Sequence, residues 1–150
     1  MRNTSIGLIS RIHAITHRWL TEELASAGLP GMVPSHGDVL ALLLANGEAS
    51  MHELAAFAHK TRPTMTVLVA KLERLGLVTR RKSKEDARNI FVSLTDKGEA
   101  LRPVFDDISR RLIAFVSSGL SPEELMTLET LLEKALSGMK QADSNTGENQ

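Results

Sequence analysis

The sequence predicts a mainly α-helical chain interrupted once by a small β-hairpin. Three observations carry this prediction. Apolar residues recur at helical spacing, from Ile6, Ile9 and Ile12 near one end to Leu125, Leu128, Leu131, Leu132 and Leu136 near the other. Helix-opening signals precede several of these runs, among them Ser50 with Glu53, Thr61 before Pro63, and Ser121-Pro122 before Glu124. Only "RRKSKEDARNIFVSL", residues 80–94, departs from the pattern. Seven charged residues crowd into the nine from Arg80 to Arg88, and then Ile90, Val92 and Leu94 alternate as one face of a strand does.

The elements follow in order. Residues 5–27 read as a long helix with Ile6, Ile9, Ile12, Trp19, Leu20 and Leu24 on its apolar stripe and Gly28 at its stop. After the turn-rich "LPGMVP", Ser35 is expected to cap a second helix, with Asp38 as an acidic variant of the capping box and Asn46-Gly47 closing it. Ser50 and Glu53 open "MHELAAFAHK", whose Leu54, Phe57 and Ala58 are expected to face inward. Thr61 caps the next helix, because Pro63 is tolerable only in a first turn, where its missing N–H is not needed. Met65, Leu68, Leu72 and Leu75 are expected to line its buried side, and Gly76 ends it. "LVTRRK" and "NIFVSL" then form two strands around the charged loop. Thr95 caps a helix expected from Asp96 to about Val116, and Ser121 caps a last one to about Met139. Residues 140–150 lack apolar periodicity and are expected to be disordered.

Composition narrows the chemistry. At 150 residues and 42% hydrophobic, the chain is expected to form one domain, 1–150, with a substantial core. The absence of cysteine excludes disulfides and thiolate metal sites. No signal-peptide or membrane-spanning run is present, so a cytoplasmic protein is expected. Net charge is zero, yet its distribution is uneven. Residues 59–90 hold nine basic and three acidic residues, and the remainder nine basic and fifteen acidic. Charge segregated in this way marks a surface that meets something anionic.

Two short helices joined by a tight turn, followed by a two-stranded wing, make a winged helix-turn-helix, here residues 35–95. The second helix of such a unit presents its N-terminal residues to base edges in the DNA major groove. Arg62 can offer a bidentate donor pair to guanine, and Thr66 or the Pro63 ring can touch a thymine methyl, with Thr64 beside them. Lys71 and Arg74 lie further along, placed for phosphates. The helix N-termini at Ser35 and Thr61 offer backbone N–H groups to phosphate oxygen, and His36 can add a protonated ring. Lys82, Lys84 and Arg88 load the wing. The flanking helices, 5–27 and 96–139, carry apolar stripes that call for a partner surface, which a two-fold homodimer supplies. His13 and His17 share a face of the first helix at i, i+4 and are candidates for a ligand carboxylate; two histidines without a third ligand do not make a metal site.

The segment "LVAKLERLGLVTRRKSKEDARNIFVSLTDKGEAL" resembles the winged helix of the MarR (multiple antibiotic resistance regulator) family. The resemblance rests on Leu72-Glu73, Gly76-Leu77-Val78, Asp86-Ala87-Arg88, Leu94-Thr95 and Lys97-Gly98, and the helix layout extends it over residues 5–139. It implies a homodimeric transcriptional regulator, most often a repressor, on a pseudo-palindromic double-stranded operator. Arg88 would enter the minor groove and Asp86 would orient the wing through an ion pair. It further implies release by a small anionic or aromatic effector. Pro63 stands where the family has a small polar residue.

The sequence argues against two other classes. No phosphate loop, nucleophile elbow or metalloprotease helix is present, and tyrosine is absent, so neither an enzyme nor a cofactor is expected. A winged helix serving as a protein–protein module would need neither Arg88 at the wing nor the segregated charge.

Overall fold

The computed structural model describes residues 4–147, with side chains up to Asp143. Ten elements follow one another: α1 (Thr4–Ser26), α2 (Pro34–Asn46), β1 (Glu48–Ser50), α3 (Met51–Phe57), α4 (Arg62–Arg74), β2 (Val78–Lys82), β3 (Ile90–Leu94), α5 (Asp96–Glu99), α6 (Arg102–Val116) and α7 (Pro122–Gly147). The chain is mainly helical with one small antiparallel sheet, as the sequence predicts. It divides into two compact units, residues 1–112 and 113–150. Among the described residues no helix is long and apolar enough to cross a membrane.

The first unit contains the core. Leu40 and Leu43 of α2, Leu54 of α3, Met65, Val69 and Leu72 of α4, and Val92 of β3 are all fully buried. The sheet runs β1-β3-β2, so β3 is central. Val92 sits opposite Ala49 on one side and Arg80 on the other. The hairpin β2–β3 was legible in the sequence, whereas β1 was not. Three residues are too few to display a period of two, and β1 exists because β3 offers it an edge.

Local chemistry fixes the helix ends. Ser50 Oγ accepts from Glu53 N–H at 3.1 Å and Glu53 Oε2 accepts from Ser50 N–H at 2.7 Å, the reciprocal box expected. Thr61 Oγ1 caps α4, and Ser121 pairs with Glu124 ahead of α7. Gly47 and Gly76 end α2 and α4 with φ of 80° and 74°, a region that glycine enters without strain.

The structure departs from the sequence reading at five places. The cap of α2 is Val33, not Ser35: Pro34 takes the first helical position, and His36 Nδ1 accepts from Val33 N–H at 3.0 Å. Phe57 is half-exposed, because α3 ends there and Leu54, Ala55 and Ala58 already cover the core. Leu75 is partly exposed where α4 terminates, and Val69 takes the inward position. The helix expected over 96–116 is broken into α5 and α6, since Pro103 has no N–H and its ring collides with the carbonyl of Glu99 in a continuous helix. Finally, α7 continues to Gly147 instead of ending near Met139. Lys140, Gln141 and Ala142 favour helix without an apolar stripe, and no proline stops them; residues 148–150 lie outside the described part of the chain.

One junction joins the end of α4 to the exit of the wing. Thr95 N–H donates to Leu77 O at 3.0 Å, Thr95 Oγ1 donates to Gly76 O, and Lys97 Nζ donates to Leu75 O at 2.8 Å. These three donors satisfy carbonyls that a helix end would otherwise leave to solvent. The chain approaches so closely here that a Cβ on Gly98 would fall 2.1 Å from Leu77 O and 3.0 Å from Leu94 Cδ2. Gly98→Ala should therefore destabilise the fold by roughly 1–3 kcal/mol or more, read as a lower thermal midpoint. Gly119→Ala, where nothing lies within 4 Å, should leave it almost unchanged. Equal midpoints for the two variants would show that the junction yields freely.

Candidate nucleic-acid interface

Two elements bring the sequence-predicted residues together. The first is the N-terminal half of α4. Thr61 Oγ1 accepts from Thr64 N–H at 3.4 Å and donates to Thr64 Oγ1 at 3.0 Å, so both threonines are occupied in capping while remaining exposed. Arg62, Pro63, Thr66 and Val67 are exposed on the same half-helix. Thr66 Oγ1 donates back to Arg62 O at 3.0 Å, so its hydroxyl is engaged with its own helix while the residue stays exposed. Arg74 is exposed further along. This is the face a recognition helix needs, with Val67 as an outward apolar residue.

The second element is the wing. Asp86 holds the loop together. Its Oδ1 accepts from the backbone N–H of Arg88 at 3.0 Å, and its two oxygens accept from Arg88 Nε and Nη2 at 3.1 and 3.2 Å. These bonds, the side-chain ones first, hold the Asp86 carboxyl below its ordinary pKa. Ser83 N–H donates to Asn89 O and Asn89 N–H to Asp86 O, which closes the loop as a turn. The Arg88 side chain is nonetheless 91% exposed. Asp86 therefore pairs with Arg88 without covering it.

The wing's cations divide by position. At the hairpin base, Arg80 makes a two-point contact with Glu73 of α4, at 2.8 and 3.2 Å, and Arg81 does the same with Glu48 of β1, at 2.6 and 3.0 Å. Arg81 also lies over the Phe91 ring at 4.7 Å. The side-chain bond from Arg80 lowers the Glu73 pKa. These arginines bind protein; the charge offered outward comes from Lys82, Lys84 and Arg88, all exposed. The sequence did not reveal this division, because Glu73 and Glu48 lie 7 and 33 positions from their partners.

Three expected site residues have other roles. His36 is buried, 4% exposed, and its Nδ1 is occupied by Val33 N–H, so it is not placed to meet phosphate. Ser35, no longer the cap, is half-buried in the first turn of α2. Lys71 is half-buried and its ammonium donates to Gly31 O, tying α4 to the turn before α2. His13 and His17 are exposed on α1 with ring centroids 5.9 Å apart. A cavity of about 360 Å³ does lie between α1 and α6, but it is lined by Glu23, Ala27, Val104, Asp107, Ile108 and Arg111, not by either histidine. Arg111 bridges Glu23 and Asp107 there and faces Trp19. Among the described residues no group of three or more metal-binding side chains occurs.

Burial, and then the nearby charge of Lys71, lowers the His36 pKa from the ordinary histidine value. A histidine held neutral in the fold binds protons more readily once unfolded. Stability therefore rises with pH between the lowered folded pKa and about 6.5, and is fully present above. In His36→Gln, a glutamine at the same helix position can still accept from Val33 N–H. Denaturation at pH 5.5 and 7.5 should show a larger acid loss for the parent than for this variant. Equal losses would place the acid sensitivity elsewhere.

A model of the MarR family matches residues 27–89, which contain the helix-turn-helix and most of the wing. An uncharacterized HTH-type transcriptional regulator of Bacillus subtilis, YkoM, is 33% identical over 105 residues, 70% of this chain and 68% of its own. The HTH-type transcriptional regulator FarR of Neisseria gonorrhoeae is 33% identical over 95 residues, 63% of this chain and 64% of its own. Among solved structures, a Staphylococcus aureus MepR–DNA complex superposes with a TM-score of 0.78 at 26% identity, over 87% of this chain and 95% of that one. A mutant E. coli MarR complexed with operator DNA does so at 0.77 and 25%, over 86% and 91%. With its capped recognition helix, its three-stranded sheet and its Asp86-anchored wing, the chain belongs to the MarR family of transcriptional regulators, which are not enzymes.

Proposed function

We propose that the protein is a sequence-specific, double-stranded DNA-binding repressor that acts as a homodimer on a pseudo-palindromic operator and is released by a small-molecule effector. The observation that carries this reading is the pairing of an exposed N-terminal face on α4 with an exposed, Asp86-oriented Arg88 on the wing. Arg62, Thr66 and Val67 meet base edges in the major groove, and Thr66 and Val67 supply apolar contact to thymine methyls. Arg88 enters the adjacent minor groove, where narrow A·T-rich DNA concentrates negative potential. Lys82, Lys84 and Arg74 contact phosphates. The MepR and MarR structures bound to DNA support this use of the same fold.

Homodimerisation is supported by apolar surface that a lone chain leaves in water. Ile6, Leu8, Ile9, Ile12 and Ile15 of α1 are exposed, and so, in the second unit, are Ile113, Met126, Leu131, Leu132 and Leu136. Burying one such side chain contributes roughly 1.5–3 kcal/mol, so pairing these faces offsets the entropy of association. Sedimentation should give a dimer at micromolar concentration; a monomer there contradicts the two-fold model. The effector is proposed to be a small anionic or aromatic compound bound in the helical part of the dimer, with His13 and His17 as its recognising pair. A ligand-induced loss of DNA affinity that His13→Ala and His17→Ala both abolish tests that assignment.

Duplex affinity should fall steeply with added salt, by a log–log slope of roughly −0.9 for each phosphate neutralised. Lys84→Ala should reduce that slope by about 1 per protomer and leave the preferred sequence unchanged. A flat salt response of the parent protein would contradict phosphate-based DNA binding and favour a protein-binding module.

A further inference from the structure

Arg62 has a second contact that its place on α4 does not require. Its Nη2 donates to the backbone carbonyl of Arg88 at 3.1 Å, across 26 residues of chain. We propose that Arg62 is a positioning residue, a latch that fixes the wing relative to the recognition helix and thereby sets preference for sequence in the operator flanks. The inference rests on the DNA-binding reading above and deepens it.

The latch matters because of where the wing is otherwise held. The hairpin is anchored through Thr95, Lys97 and the Arg80–Glu73 pair near the C-terminal end of α4, and along β3 by β1, whose Ser50 stands opposite Phe91. Arg88 lies outside β3, three residues beyond Phe91, which at about 3.3 Å per residue is roughly 10 Å of chain past that pairing. A small pivot at that pairing becomes a larger displacement of the Arg88 side chain. Between the N-terminal end of α4 and the wing lies an open cleft of about 410 Å³, lined by Met51, His52, Arg62, Asn89, Ile90 and Phe91. Arg62 reaches across this side of the cleft with a directed hydrogen bond, so α4 is tied to the hairpin at both of its ends.

The electrostatics fit. The acceptor is a peptide carbonyl, so the contact asks nothing of the side chain at position 88. Arg62 brings a second guanidinium towards Arg88, and the Asp86 carboxylate, paired with Arg88 at 3.1 Å, offsets their repulsion. One N–H of Arg62 is committed to the wing while the rest of this exposed group stays open to solvent or to DNA. Through this bond, a shift of α4 on the bases moves the minor-groove residue with it. The two grooves are then read as a fixed pair.

The experiment uses the intact protein and two readouts. In the free protein, residue-resolved hydrogen exchange of the Arg88 and Asn89 amides should accelerate in Arg62→Ala by roughly 2- to 10-fold, the range one net hydrogen bond corresponds to. Thr66→Ala, on the same helix but without a wing contact, should leave those amides unchanged. On DNA, duplexes selected from a random pool by Arg62→Ala should lose the flank preference shown by the parent, as those selected by Arg88→Ala do. The double variant should be no less selective in the flanks than either single one. Unchanged wing exchange in Arg62→Ala would overturn the latch. So would flank preference that persists in Arg62→Ala while discrimination is lost only at a central base pair, since Arg62 would then act on the bases alone and leave the wing free. If the parent selects no duplex at all, the DNA-binding reading fails, and the exchange measurement still decides whether Arg62 holds the wing.

Discussion

The fold depends most on the junction where the recognition helix ends and the wing leaves. Leu75, Gly76 and Leu77 present three carbonyls at the C-terminal end of α4, and Thr95 and Lys97 satisfy them from the far side of the hairpin. The last carbonyls of a helix lack partners within it, so these donors tie the hairpin to the end of α4. Gly98 is part of the same constraint, because α5 passes so near Leu77 that no side chain fits. The C-terminal end of α4 and the start of the hairpin are positioned from here. The direction of β2 and β3 follows from it, and the wing tip lies one strand-length away.

Charge is organised around that body in two tiers. Arg80 and Arg81 pair with Glu73 and Glu48 on the surface and strengthen the sheet's attachment to α4 and to β1. These pairs are partly exposed, so each contributes modestly to stability, and their main effect is geometric. Lys82, Lys84 and Arg88 lie further out and supply the field that an anionic partner meets. Asp86 is acidic within a basic loop because a carboxylate can both close the turn and aim the arginine. A wing tip of cations alone would repel itself and lack a defined direction.

Much of the fold was legible in the sequence where the determinants are local. The Ser50–Glu53 box, the Thr61 cap ahead of Pro63, the Gly76 stop and the Ile90–Val92–Leu94 alternation each act within a few residues, and each element formed where its signal stood. What was not legible depends on partners distant in sequence. The edge strand β1 needs β3, the inward turn of Arg81 needs Glu48, and Lys71 needs a carbonyl 40 residues away. The start of α2 is a different, local case: Pro34 at the first helical position and His36, accepting from Val33 N–H three residues back, move the cap from the expected Ser35 to Val33. Of the candidate interface, the wing residues and the first turns of α4 were readable as a surface, whereas their division into those that hold the protein and those that face outward was not.

The proposed function requires α4 and the wing to read one duplex together, twice over in a two-fold dimer. Selection of bound duplexes from a random pool by the parent protein tests this most directly. It predicts an inverted repeat whose half-site centres lie about one helical turn apart, with A·T-rich sequence enriched where the wings reach the minor groove. Recovery of unrelated sequences, or of a single half-site with no partner and no flank preference, would contradict it.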